Sequence, residues 1–96
     1  MAQKQYKSLK QFFANPRRWR KAAANDGKGR YCLIGAADRV YSPERSGSVI
    51  RKLRAVIGQL YPGFVGYNGM VSIAGFNDAE TTRLKDIRRV VKHAGV

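Results

Sequence analysis

Phe64-Val65-Gly66-Tyr67-Asn68-Gly69-Met70-Val71-Ser72-Ile73 is the stretch on which the fold class turns. Two β-prone runs flank Asn68-Gly69, and Asn-Gly is the strongest short-range hairpin signal because both central turn positions want positive φ. The stretch predicts one small β-hairpin. Set among its neighbours it gives an α+β class, a mostly helical single domain of three to four short helices with that hairpin.

Those helices are read outward from it. On the upstream side Val49, Ile50, Leu53, Val56, Ile57 and Leu60 share one side of a helix capped by Ser46 or Ser48 and stopped by Tyr61-Pro62-Gly63. Before that, Leu33, Ala36, Ala37, Val40 and Tyr41 follow i, i+3, i+4, i+7, i+8, a buried helix ended by Ser42-Pro43. Downstream, Asn77-Asp78 and Thr81-Thr82 lead into a last helix with Leu84, Ile87, Val90, Val91 and Ala94 inside. Gly95 is its natural stop. Near the beginning, Ser8-Leu9-Lys10-Gln11 has the form of a capping box and opens a short helix over 8–14, broken by Asn15-Pro16. Pro16 favours a second helix, with a strand as the alternative, and Asn25-Asp26-Gly27 marks a turn.

Charge narrows the partner class. The 96 residues hold 19 Lys plus Arg against 6 Asp plus Glu, a formal net charge of +13. Residues 1 to 30 carry nine of the basic residues and one acid, so 1–18 reads as a basic N-terminal arm and 19–96 as the compact domain. A hydrophobic fraction of 44% with ten aromatics is too apolar for a charged disordered chain. The apolar runs are far too short to span a bilayer, and the opening residues lack the apolar run of a secretory signal. With a single cysteine, Cys32, no intramolecular disulfide is possible. A cytoplasmic location follows as the expectation.

The inventory for chemistry is small. Cys32 and His93 could be written as a thiolate and its base, but an apolar block suits a packed cysteine and the last helical turn suits a histidine, so no catalytic residue is expected. Gly66, Gly69 and Gly75 lack the Lys-Ser/Thr of a phosphate loop. Asn77-Asp78 offers too few oxygens for a dedicated calcium site, and no metal or cofactor is expected.

What remains is a cationic surface. Arg17, Arg18, Arg20 and Lys21 surround Trp19, the mix of phosphate-neutralising and stacking groups found in nucleic-acid binders. Arg51 and Arg54 lie with Lys52 on the polar side of one helix, and Arg88, Arg89 and Lys92 on that of another. Lys85 with Arg89, and Arg88 with Lys92, are like-charge i, i+4 pairs, which an anion lying across them would relieve. These residues point to DNA or RNA bound by its backbone.

Trp19, Ala24-x-Asp26-x-x-Gly29, Tyr31-Cys32-Leu33-Ile34-Gly35-Ala36, Ile73-Ala74-Gly75-Phe76-Asn77-Asp78 and the closing Val90-Val91-Lys92-His93-Ala94 resemble an uncharacterised small-domain family of bacteriophages and actinobacteria. The resemblance covers about residues 19 to 95. It implies one compact, mostly helical domain with Cys32, Gly35, Ala36, Asn77 and Asp78 as signature positions, and it implies no activity. Phe76 stands where the family pattern has Trp, and the basic leader 1–18 is additional. The expected function is that of a small, basic, phage-like accessory protein holding nucleic acid mainly through phosphate contacts, without catalysis. The alternative is a host-directed inhibitor or counter-defence protein that acts by binding a host protein; an acidic host protein is the second candidate partner beside nucleic acid, and a phage-encoded chain would work in the host-cell cytoplasm.

Overall fold

The computed structural model describes residues 6–21, 27 and 29–96. The Asn25-Asp26-Gly27 turn, and Ala24 and Asp26 of the resemblance, fall outside these residues except for Gly27, which sits at φ 74°.

The first helix, α1 (Leu9–Phe12), is a single turn. Ser8 Oγ accepts from the Gln11 N–H at 3.1 Å, and the Gln11 side chain accepts from the Lys7 N–H at 2.7 Å. Ser8 and Gln11 thus satisfy two amides at the helix start that would otherwise go unpaired. Asn15 then caps a 3-10 turn over Pro16–Arg18, its Oδ1 accepting from the Arg17 N–H at 3.0 Å. Beyond it Trp19 is extended and forms one parallel bridge with Tyr31.

Helix α2 (Leu33–Val40) starts at Cys32, whose Sγ accepts from the Gly35 N–H at 3.4 Å. Its buried residues are Leu33, Gly35, Ala36 and Ala37, mostly small, which lets α1 and the next helix approach closely. That next helix, α3 (Pro43–Leu60), begins earlier than Ser46. Pro43 occupies its first turn, where the missing N–H costs nothing, so the Ser-Pro pair opens α3 as it closes α2. Ser46 is turned inside, in line with Val49, Leu53 and Ile57.

The segment after α3 corrects the fold class. A 3-10 turn at Pro62–Phe64 leads into a reversal in which the Gly66 N–H donates to Met70 O at 2.8 Å and Gly69 sits at φ 78°. Only one isolated bridge, Val65 with Val71, joins the two sides, and the described residues contain no strand and no sheet. There is no β-hairpin, and the class is all-α rather than α+β. The physical reason lies on both sides of the turn. Val65, Tyr67 and Met70 are exposed, only Phe64 and Val71 lean on the core, and a lone two-stranded ribbon is marginal at best. On the far side, Ser72 Oγ accepts from the Gly75 N–H at 2.9 Å and starts a helix, α4 (Ile73–Asp78), which buries Ile73, Phe76 and Asn77 at i, i+3 and i+4. The helix count among the described residues is five, and the longest spans 18 residues.

Helix α5 (Leu84–Ala94) packs against α3 and α1 through Ile87, Val90 and Val91. It ends with Gly95 at φ 70°, where the Gly95 N–H donates to Lys92 O and the Val96 N–H to Val91 O. This pairing folds Val96 back into the core, where its carbonyl accepts from the Leu9 N–H and the Tyr41 hydroxyl, both at 2.6 Å. Three of the largest core side chains, Leu9, Phe12 and Phe13, come from the 1–18 stretch that charge sets apart in the sequence.

At the start of α5 the Asp86 carboxylate accepts from the Arg83 N–H at 2.9 Å and from the Tyr61 hydroxyl at 2.8 Å. Partial burial works against the charged carboxylate, but these two hydrogen bonds and the nearby Lys85 and Arg89 cations outweigh it and hold its pKa below the usual value. A depressed native pKa contributes stability that is present above the unfolded value and lost as pH falls through the native one. Asp86→Asn should therefore lower stability by about 1 kcal/mol at neutral pH. Denaturant midpoints of the two proteins should converge in acid, and a constant gap across the acid range would show that the carboxylate charge is irrelevant.

Candidate nucleic-acid interface

The Trp19 cluster is largely tied into the fold. Arg17 is exposed on its 3-10 turn. Arg18 places its guanidinium 5.7 Å from the Tyr6 ring and 5.9 Å from the Phe12 ring, and its Nη1 donates to Gly29 O at 3.3 Å. Gly29 sits at φ 87°, a backbone conformation that favours glycine, and a Cβ there would push only on the flexible end of Arg18, 2.6 Å away. Trp19 is half-buried, and its Nε1 donates to Asn77 Oδ1 at 2.7 Å. Lys21 stands 5.8 Å from the Trp19 ring and donates to Ala79 O, while Arg20 Nε donates to Lys21 O at 3.0 Å.

Asn77 explains this arrangement. It is 1% exposed, and its Oδ1 accepts from both Trp19 Nε1 and the Leu33 N–H. Its Nδ2 donates to Arg20 O at 3.1 Å and to Asp78 Oδ1 at 2.9 Å. One amide thereby joins the extended 19–20 segment, the start of α2 and α4.

The α5 cations divide. Arg88 and Lys92 meet Lys10 of α1 around a shallow groove of about 240 Å3 floored by Phe13 and Val91. Arg88 also closes the end of α1, Nε donating to Phe13 O at 2.9 Å and Nη2 to Ala14 O at 3.1 Å. Arg89 lies instead 5.5 Å from the ring of Tyr61, whose phenol is pushed up by burial and by its hydrogen bond to Asp86.

Arg51 and Arg54 of α3 line a second groove, about 360 Å3, together with Val65, Met70 and Val71 of the following loop. At the tip of that loop Tyr67 is fully exposed, and Met70 is 59% exposed. Asn68 holds the tip in place, its Oδ1 accepting from the Met70 N–H at 3.0 Å.

Thus the structure gathers Arg88 with Lys92 and Arg51 with Arg54, and turns Arg18, Trp19 and Lys21 partly inward. Sequence reasoning passes over Lys10, Tyr67 and Met70. Lys10 reaches its partners only because α1 docks on α5, more than 70 positions away, which no local pattern reveals. Tyr67 has a local signal, an aromatic side chain set directly against the Asn68-Gly69 turn.

Away from the cations, Cys32 serves as the α2 cap and His93 is exposed in the last turn of α5. Among the described residues no cluster of three or more His, Cys, Asp or Glu could hold a metal ion, and no helix is long and apolar enough to cross a membrane. No protein-family model matches the chain, and neither a curated protein nor a solved structure matches it.

Proposed function

We propose that this protein binds nucleic acid mainly through its phosphates and performs no chemistry on it. The observation that carries the reading is the convergence of Lys10, Arg88 and Lys92 from two helices far apart in the sequence, on a chain of net charge +13. Gathering like charges on one surface opposes folding unless some other contact offsets it, and a polyanion laid across them does so. Phosphate neutralisation releases condensed counterions, which makes affinity strongly salt-dependent. Phe13 and Val91 are buried beneath the groove, so the surface a ligand meets there is chiefly that of the three cations.

Lys10→Gln and Lys92→Gln are the clean variants, because both side chains are exposed and Arg88 additionally closes α1. In anisotropy titrations across salt, each should reduce the slope of log affinity against log salt by about one unit. Slopes unchanged in both variants would remove this surface from the interface. Lack of binding to any DNA or RNA at low salt would sink the function itself, and an acidic protein partner would then take its place.

A further inference from the structure

We infer that the groove between α3 and the 65–71 loop takes an unstacked nucleotide, so that the protein prefers single-stranded nucleic acid over duplex. The inference rests on the nucleic-acid reading above and adds a site and a strandedness to it.

Three observations meet there. Arg51 and Arg54 stand on the groove one helical turn apart. The groove is therefore cationic on its α3 side, which selects an anionic occupant. Opposite lies an apolar edge of Val65, Met70 and Val71. Beyond it Tyr67 is fully exposed, with both ring faces unclaimed by the core.

A buried ring would be filling space, as Phe76 does between Tyr61 and Phe64. An exposed ring on a loop whose backbone is held by Asn68 is presented to solvent, with the loop's own ordering made before a ligand arrives. Stacking needs one π-face, and every base offers one. The bases of a duplex are already stacked and hide their faces, so this element acts only on a single strand. A folded protein partner fits the groove less well. Val65, Tyr67 and Met70 form a patch of three side chains, far short of the ~1,200 Å2 of total buried surface that stable protein interfaces need.

The test compares a short oligothymidylate with a duplex of the same length, binding to the full chain by anisotropy at near-physiological salt. The wild type should prefer the single strand. Tyr67→Ala should weaken single-strand binding by about 5- to 150-fold, the range of one lost base stack, and leave duplex binding unchanged. Tyr67→Trp should restore it, and neither substitution endangers folding at so exposed a position. A 5-bromodeoxyuridine oligonucleotide irradiated on the wild type should cross-link at Tyr67. Equal binding of both nucleic acids, unaffected by Tyr67→Ala, overturns the groove while leaving the phosphate surface standing. Absence of binding to either removes both.

Discussion

Deleting residues 1–18 is expected to unfold the protein, although that stretch is short and conspicuously basic. Leu9, Phe12 and Phe13 are each no more than 1% exposed, and Phe12 meets Tyr6, Phe13 and Tyr31 at centroid distances of 4.8, 5.3 and 5.4 Å. Truncating a buried Phe typically costs about 3–5 kcal/mol and a buried Leu about 2–5 kcal/mol. A chain of this size has only ~5–15 kcal/mol in total, so losing all three approaches or exceeds the reserve. Deletion also strips Arg88 of the Phe13 and Ala14 carbonyls and Val96 of its Leu9 donor. Far-UV circular dichroism and urea unfolding would read the outcome. Phe12→Ala, a milder form, should lower stability by about 3–5 kcal/mol, whereas Arg17→Gln should stay within about 0.5 kcal/mol. A truncated chain that unfolds cooperatively at the wild-type midpoint would show that 1–18 is an independent arm.

The same residues show why the sequence is readable up to a point. Leu9, Phe12 and Phe13 have helical spacing, and Ser8 and Gln11 supply the cap, so the short helix is legible. Its destination is not. Charge is a local count, and it draws attention to the side chains that point outward, while burial depends on α1 meeting α5 and Val96 across the whole chain. The long helices α3 and α5 are legible because their apolar periodicity is their burial pattern, with Val49, Leu53 and Ile57 on one and Ile87, Val90 and Val91 on the other.

The 64–73 stretch misleads for a related reason. Asn68-Gly69 does reverse the chain, but a turn signal specifies direction and not whether the flanking residues pair as strands. Ser72 decides the next segment by capping α4, and its position before Ile73, Phe76 and Asn77 carries that information in a pattern only six residues long. At the candidate site, residue type is readable and placement is not. Trp19 looks like a stacking ring because nothing local shows that Asn77, 58 positions on, accepts its N–H. Tyr67, hidden inside a supposed strand, is the ring that solvent reaches.

Asn77→Leu should be strongly destabilising, by at least about 3 kcal/mol, since each of three stranded polar groups costs about 1–3 kcal/mol. Leucine matches the volume but leaves Trp19 Nε1, the Leu33 N–H and Arg20 O without the partner that now serves all three. Asn77→Asp separates the two halves of the network. Its oxygens can still accept from Trp19 and Leu33, but both donor bonds are lost and a carboxylate faces the Arg20 carbonyl and Asp78. It should therefore also be strongly destabilised, by repulsion more than by lost acceptance. Trp19 is the sole tryptophan and sits on the network, so its fluorescence follows unfolding at the site itself. Asn68→Ala is the reference, since Asn68 makes a comparable bond to Met70 in an exposed loop where water replaces the lost partner, and it should cost at most about 1 kcal/mol. A midpoint for Asn77→Leu as close to wild type as that of Asn68→Ala would mean the amide is a bystander. The expected wide gap between them would mean that a buried side chain, and not the basic surface, fixes where the 19–21 cations stand, because Arg20 O and Trp19 are held by Asn77 before any phosphate arrives.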